Sequence, residues 1–144
     1  MSRPEAPSGA PPPAEARHPD GTPIDLVSLA EQICARYRRE FPDEKERYGP
    51  AGIKWCLHDN QYLLAWAVQD VRDGTVLLLE QVQWLGSVLE SRDFPLERLV
   101  RDLEIAAEVA AGSSELGKLA PGASQGLLDA AKSLAQSGGR AEVG

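Results

Sequence analysis

The spacing of apolar residues along the chain predicts an all-α protein. In successive segments, apolar side chains recur at three- and four-residue intervals, which is typical of helices that bury one face. This spacing predicts helices over about 23–41, 51–72, 75–91 and 94–112, and a shorter, weaker one near 127–135. We therefore predict a compact bundle of four to five helices with a disordered N-terminal tail.

Local signals set the expected ends of these helices. Thr22 is a candidate cap for a first helix that begins at Pro23. Proline lacks a backbone N–H, but the N–H groups of the first helical turn have no partner within the helix, so proline is well tolerated there. Pro42 disfavours helical geometry in the residue before it, so this helix should end at Phe41. Asp93 is a candidate cap for the fourth helix, with Pro95 in its first turn. Residues 42–50 should form a turn or a short irregular helix.

The apolar positions also predict how the helices are buried. The second helix has apolar residues around much of its circumference, which favours a central position with neighbours on more than one side. Asp73-Gly74 could instead begin a β-hairpin, but the helical spacing of the residues that follow favours a third helix. The first helix should bury one continuous stripe, formed by Leu26, Leu29, Ala30, Ile33, Cys34 and Tyr37.

Composition divides the chain into one domain and two tails. Residues 1–22 are rich in proline and alanine, and they hold too little apolar surface to offset the entropy of ordering, so we expect them to be disordered. Residues 137–144 are similarly poor and should form a flexible C-terminal tail. The remaining residues, 23–136, are enough for a single hydrophobic core.

The charge pattern argues against nucleic-acid and membrane partners. The formal net charge is −7, which disfavours electrostatic binding to nucleic acid. Acidic residues are interleaved with the basic residues between Arg36 and Lys54, so this stretch indicates a salt-bridged, solvated face. No apolar run approaches the roughly 20 residues that span a bilayer. The abundance of arginine, alanine, glycine and proline hints at a GC-rich bacterial genome.

The two cysteines are expected to be reduced. Cys34 and Cys56 lie in segments with helical apolar spacing, and no N-terminal apolar stretch resembles a secretion signal. We therefore expect a cytoplasmic protein in which both thiols are buried as small hydrophobic groups.

The most unusual segment is the polar turn His58-Asp59-Asn60-Gln61 inside the apolar second helix. On a helix, His58 shares a face with Gln61, Ala65 and Gln69, which is polar enough to face water. The sequence favours a hydrated turn, while a buried histidine paired with a carboxylate and a ligand-binding histidine remain alternatives.

Asp59 lies in a helical row of aromatic residues, Trp55, Tyr62 and Trp66. A carboxylate among aromatic rings must be hydrated, paired with a cation, or bound by a donor. We favour a partly exposed row that suits a partner, and the alternative is a buried row in which Arg36 or Arg39 pairs with Asp59. The candidate binding residues are thus Trp55, His58, Asp59, Tyr62 and Trp66.

No catalytic, metal or cofactor motif supports a more specific function. Cys56 and His58 are two residues apart and point to different sides of a helix, so they form neither a metal site nor a catalytic dyad. No phosphate-binding loop or nucleophile elbow is present, and we predict no cofactor.

The sequence favours a non-enzymatic role. The leading hypothesis is a small cytosolic regulatory or interaction domain that binds a partner protein or small ligand through the aromatic and polar flank of its second helix. One alternative is a small helical sensor or enzyme with a site at His58 and Asp59. The other is a structural bundle that self-associates, for example as a homodimer.

Overall fold

The structure is a five-helix bundle with a small N-terminal β-hairpin, and it confirms the predicted all-α bundle. The computed structural model describes residues 11–143, with side chains as far as Ser137. The elements are β1 (Glu15–Arg17), β2 (Pro23–Asp25), α1 (Leu26–Glu40), α2 (Glu44–Asp73), α3 (Leu78–Glu90), α4 (Leu96–Ala111) and α5 (Ala120–Val143), with one turn of 3₁₀ helix before α5 at Gly117–Leu119.

The N-terminal segment is more ordered than its composition predicts. Residues 1–10 of the predicted tail lie outside the described residues, but 11–22 fold against the bundle. Strand β1 pairs antiparallel with β2, and Ala16 lies opposite Ile24, which is fully buried. The folded domain therefore includes residues 11–22, which were predicted to belong to the disordered tail. Hydrogen bonds to the bundle compensate for the low hydrophobicity of this segment.

Helix α1 begins three residues later than predicted. Pro23 belongs to β2, and Asp25 is the cap, since its carboxylate accepts a hydrogen bond from the Ser28 amide at 3.0 Å. The end is as predicted, because Phe41 follows the last helical residue. All six residues of the predicted apolar stripe are buried.

Helix α2 contains a backbone break in the segment predicted as a turn or irregular helix. Gly49 has a φ of 63° and a ψ of −159°, and Pro50 follows it. A positive φ is readily accessible to glycine and costly for other residues. The break therefore separates a short first part, from Glu44 to Tyr48, from the long second part that carries the polar turn.

The Asp73-Gly74 pair ends a helix and does not form a hairpin. Gly74 has a φ of 68°, and its amide donates to the carbonyls of Gln69 and Asp70, a common way to end a helix. The predicted third helix is confirmed, although it begins at Leu78, whose amide donates to the Asp70 carboxylate at 3.0 Å. Helix α4 has Pro95 in its cap position, so the predicted capping role of Asp93 is wrong.

Helix α2 lies at the centre of the bundle, as its apolar circumference predicted. It packs against α1, α3 and α5, while α4 and α5 form the most extensive helix pair. Helix α5 is longer than the weak helix predicted near 127–135, and its backbone continues through most of the segment predicted as a flexible tail. None of the helices within the described residues is long and apolar enough to cross a membrane.

The structure contradicts the prediction of two reduced cysteines. Cys34 in α1 and Cys56 in α2 form a disulfide, with their Cα atoms 6.1 Å apart. The prediction of buried, helical positions was right, but periodicity alone could not show that the two helix faces meet at these residues. Because the two cysteines are oxidised in the structure, reduced thiols no longer support the predicted cytoplasmic location.

Replacing Ile24 by alanine should test whether the β-hairpin belongs to the core. Ile24 is fully buried, and we expect Ile24→Ala to lower the free energy of unfolding by about 3 kcal/mol, since burial is lost and a cavity remains. Urea unfolding followed by circular dichroism measures the change. The control is Leu77→Ala, at a residue 52% exposed, which should change stability by less than about 0.5 kcal/mol. Equal effects of the two variants would contradict the structure of the N-terminal segment.

Candidate functional site

A cleft of about 90 Å³ opens between α1, α2, α4 and the loop that joins α3 to α4. Its walls are mainly apolar and aromatic, while a few polar side chains lie together at its inner end. This combination is typical of sites for small organic ligands. The lining residues are Tyr37, Glu44, Tyr48, Gly52, Trp55, Cys56, Asp59, Asn60, Leu89, Arg92, Phe94, Leu99 and Asp102.

Asn60 forms part of the floor of this cleft and is only 1% exposed. Its Nδ2 group donates to the Cys56 carbonyl at 3.0 Å and to Asp102 Oδ1 at 3.1 Å. The same nitrogen lies 3.5 Å from Cys56 Sγ and 3.7 Å from Cys34 Sγ. Because a backbone carbonyl can only accept a hydrogen bond, these contacts fix the orientation of the amide.

The amide oxygen of Asn60 has no hydrogen-bond partner. It is the only buried side-chain polar atom without one among the residues whose side chains the structure describes. An unpaired buried acceptor costs about 1–3 kcal/mol, so natural proteins seldom retain one without a reason. Because Asn60 lines the cleft, this unpaired acceptor lies in its wall, although the oxygen atom itself is closed to solvent.

Asp102 lies beside Asn60, and the pKa of its carboxyl is raised well above the ordinary value. Burial raises the pKa of its carboxyl to about 7, and the hydrogen bond from Asn60 opposes this change. The nearby carboxylates of Asp59 and Glu44 raise the pKa further. A buried acid without a neighbouring cation is most stable in its neutral form. Asp102 is therefore poised to gain or lose a proton near neutral pH.

One wall of the cleft is a rigid polar network. The Tyr37 hydroxyl donates to Glu44 Oε1 at 2.7 Å, and burial, followed by this hydrogen bond, raises the pKa of Tyr37. Arg98 donates to the same oxygen at 2.7 Å and to Asp43 at 2.8 Å, and its guanidinium lies 4.5 Å from the centre of the Phe41 ring. Charge-assisted hydrogen bonds of this kind are strong and directional. Arg98 thus bridges two carboxylates, those of Glu44 and Asp43, and shares its single positive charge between them.

Aromatic side chains form much of the remaining wall. The rings of Tyr48 and Phe94 lie 5.8 Å apart, and Trp55 is half-buried further along α2. Arg92 is the one cationic residue among those that line the cleft. The glycine break in α2 helps to build this wall, since Glu44 and Tyr48 precede it and Trp55 follows it.

The predicted site residues separate into two groups. Trp55 and Asp59 line the cleft, whereas His58, Tyr62 and Trp66 do not. His58 Nδ1 lies 3.2 Å from Asp59 Oδ1, and the Tyr62 ring is 5.2 Å from the His58 ring and 5.6 Å from the Trp66 ring. Trp55, Asp59 and Tyr62 of the predicted row are partly exposed, as favoured, but Trp66 is buried; His58, beside the row, is also partly exposed.

Arg36, one of the two arginines predicted as alternative partners of Asp59, forms an ion pair with Glu108 of α4. The predicted salt-bridged face is thus present. Some of its acidic residues, however, pair with arginines of α4 and not with basic residues of the same stretch.

Half of the polar turn is buried, so the predicted hydrated turn is wrong for Asn60 and Gln61. Gln61 is 8% exposed, and its Nε2 group donates to the Pro13 carbonyl at 2.9 Å. The Tyr62 hydroxyl lies 3.5 Å from the Pro11 carbonyl, so the N-terminal segment runs along this face of α2. His18, predicted to be disordered, lies 2.8 Å through Nε2 from the Glu115 carbonyl.

Asn60 and Asp102 are the site residues that the sequence analysis missed. The sequence did contain a signal for Asp102, because it shares one face of α4 with Leu99, Leu103 and Ala106. A single acid on an apolar helix face is rarely buried without a partner. Asn60 carried a weaker signal, since it appeared to be one of four polar residues that face water.

The described residues contain no group of three or more histidine, cysteine, aspartate or glutamate side chains arranged to hold a metal ion.

No known protein family, curated protein or solved structure matches the chain.

Replacing Asp102 by asparagine should remove one component of the pH dependence of stability. The pKa of about 7 in the folded chain exceeds the ordinary value of 3.8, so the folded state binds more protons than the unfolded state between pH 4 and 7. The stability that the neutral carboxyl provides is complete below pH 4 and is lost as the pH rises to 7. Each unit of the pKa shift corresponds to roughly 1.4 kcal/mol.

The measurement is the free energy of unfolding in urea at several pH values. Asp102→Asn keeps an acceptor for Asn60, and its stability relative to the unmodified chain should increase from pH 4 to pH 7. Glu97→Gln, at an exposed position of the same helix, should show no such trend. A constant difference between Asp102→Asn and the unmodified chain would mean that the carboxyl is ionised throughout.

Reduction should reveal the contribution of the disulfide. A phosphine reductant should lower the free energy of unfolding of the unmodified chain by about 3 kcal/mol, because the unfolded chain loses a loop constraint. The double variant Cys34→Ala/Cys56→Ala should have low stability with or without reductant. Two thiols that react with iodoacetamide in the denatured, unreduced chain would disprove the disulfide.

Proposed function

We propose that this chain is a small-ligand-binding domain and that the ligand enters the cleft between α2 and α4. The observation that carries the proposal is the buried Asn60 oxygen without a partner at the floor of the cleft, beside the titrating carboxyl of Asp102. A binding site needs apolar surface for affinity and a few fixed polar groups for specificity. The cleft provides both within one rigid part of the bundle.

The preorganisation of the floor supports binding over a purely structural role. Asn60 is held by two hydrogen bonds, and the Cys34–Cys56 disulfide lies against its amide nitrogen. A ligand that meets groups already fixed in position loses less entropy on binding than one that must order them. The Asn60 side chain is therefore already held in place, and a ligand that makes its oxygen accessible would gain a hydrogen bond there.

The sequence left two kinds of partner open, a protein and a small ligand, and this proposal favours the small ligand. The flank of α2 that includes Tyr62 and Trp66 is less suited to a partner protein, because the N-terminal segment crosses it and Trp66 is buried. Trp55 and Asp59 remain in the proposed site. A regulatory role, a cytoplasmic location, a bacterial origin and a homodimer all stay predictions.

Fragment screening by two-dimensional NMR of the ¹⁵N-labelled full chain tests the proposed site. Fragments with an aromatic ring and a hydrogen-bond donor should shift the amide signals of Trp55, Asn60 and Phe94. Trp55→Ala should weaken this binding at least about tenfold, since it removes a large aromatic wall.

Trp84→Ala is the matched control, because Trp84 is 39% exposed on α3 and lies outside the cleft. This variant should bind the same fragments with unchanged affinity. Shifts centred on Trp84, or no shifts from a library of several hundred fragments, would contradict the proposed function.

A further inference from the structure

We propose that the Cys34–Cys56 disulfide is a site of thiol–disulfide exchange. A small organic thiol attacks the sulfur of Cys56, and Cys34 is the resolving cysteine. This inference goes beyond the proposed function, because it concerns a covalent reaction of the protein and requires no noncovalent ligand. It follows from the unequal burial of the two cysteines and from the open space beside Cys56.

The two ends of the disulfide differ in their access to solvent. Cys34 of α1 is fully buried, whereas Cys56 of α2 is partly exposed. Cys56 also lines two cavities, the cleft and a smaller cavity of about 10 Å³ between α1 and α2, and Cys34 lines neither. The rate of exchange depends on which sulfur a thiol can reach. We therefore expect the reaction to begin at Cys56.

Gly52 leaves space open next to Cys56. Side chains on an α-helix lean towards the preceding turn, so the Cys56 side chain leans over the residue four positions earlier. That residue is Gly52, which has no side chain to cover Cys56 and which lines the same two cavities. A larger residue does not fit there, because a Cβ atom at position 52 would lie 2.7 Å from Tyr48 Cβ. This side of Cys56 is therefore left uncovered by its own helix.

The first step of the exchange opens the disulfide. The small thiol loses its proton to water, and its thiolate forms a bond to Cys56 Sγ. The bond between the two cysteines breaks, and its electron pair passes to Cys34 Sγ, which takes up a proton. The products are a mixed disulfide at Cys56 and a buried thiol at Cys34.

The mixed disulfide can then react in two directions. The Cys34 thiolate can attack Cys56 Sγ and expel the small thiol, which restores the original disulfide. In excess thiol, a second small thiolate attacks the sulfur of the first one and releases the Cys56 thiolate. Two small thiols are then oxidised to their disulfide, and the two cysteines are reduced.

Asn60 is placed to assist the sulfur that leaves. Its Nδ2 group lies 3.7 Å from Cys34 Sγ and 3.5 Å from Cys56 Sγ. A hydrogen bond from an N–H group stabilises a thiolate, and a more stable leaving thiolate departs faster. Negative charge that develops on the buried Cys34 sulfur therefore meets a donor that is already in place.

Reduction of the unmodified full chain by 2-mercaptoethanol tests whether a thiol reaches the disulfide in the folded state. The rate is measured by acid quenching, alkylation of the released thiols and mass spectrometry. Attack on the folded state needs no opening of the bundle, so urea below the unfolding transition should change the rate by less than about twofold. A rate that rises in proportion to the unfolded fraction would overturn the inference, as would a folded chain that resists reduction.

The position of the transient mixed disulfide tests which sulfur is attacked. Samples quenched with acid during the reduction are digested with pepsin, and the peptides that carry 2-mercaptoethanol are identified by mass spectrometry. We expect at least about tenfold more adduct on Cys56 than on Cys34, because access decides which sulfur reacts. Equal amounts on the two cysteines, or an excess on Cys34, would contradict the proposed direction of attack. This measurement uses the unmodified chain and does not depend on the folding of any variant.

Two single-cysteine variants provide a matched comparison. Cys34→Ala leaves Cys56 as a free thiol, and Cys56→Ala leaves Cys34. In folded protein, verified by circular dichroism, Cys56 should react with 2-hydroxyethyl disulfide at least about tenfold faster than Cys34, because the reactivity of a thiol requires exposure. The difference should disappear in concentrated urea, where both thiols are exposed. Equal rates in the folded variants would show that the two sulfurs are equally accessible, and the inference would be wrong.

Discussion

The hydrogen bond from Asn60 to Asp102 is the constraint on which the rest of the structure depends. It joins α2 to α4 inside the core, and the Cys34–Cys56 disulfide joins α2 to α1 beside it. Three helices are therefore connected at one polar point within an apolar bundle. An ionised acid at this position would be costly to bury, so the fold is most stable when Asp102 keeps its proton.

This polar point determines how the cleft is built. Because Asn60 and Asp102 hydrogen-bond to each other, they fix the separation of α2 and α4 at the floor. The break at Gly49 lets the first part of α2 follow its own direction, and Glu44 and Tyr48 from that part line the cleft. The Glu44 carboxylate is then held by Tyr37 and Arg98, which connects the wall of the cleft to α1 and α4.

The N-terminal segment shows how a chain with few apolar residues can still be ordered. Proline has no amide hydrogen, but its carbonyl accepts hydrogen bonds, and the carbonyls of Pro11 and Pro13 do so from α2. Arg72 of α2 likewise donates to the Arg17 carbonyl at 2.9 Å, and the Leu26 amide donates to the Ala14 carbonyl at 3.0 Å. Composition measures only the apolar surface that a segment can bury, so it missed a segment that backbone acceptors hold in place.

The sequence by itself determined the helical class of the protein and the approximate positions of its main helices, because helical periodicity is a local property that neighbouring residues establish. It identified the buried stripe of α1, the end of α1 at Phe41 and the end of α2 at Gly74, each from residues close together in the chain. Of the candidate site it identified Trp55 and Asp59, which the cleft includes. Only the tertiary structure decided that Cys34 meets Cys56, that Gln61 lies under Pro13 and that Asn60 meets Asp102. These contacts join residues 22 to 48 positions apart, and such pairings depend on how helices pack, which no local pattern records.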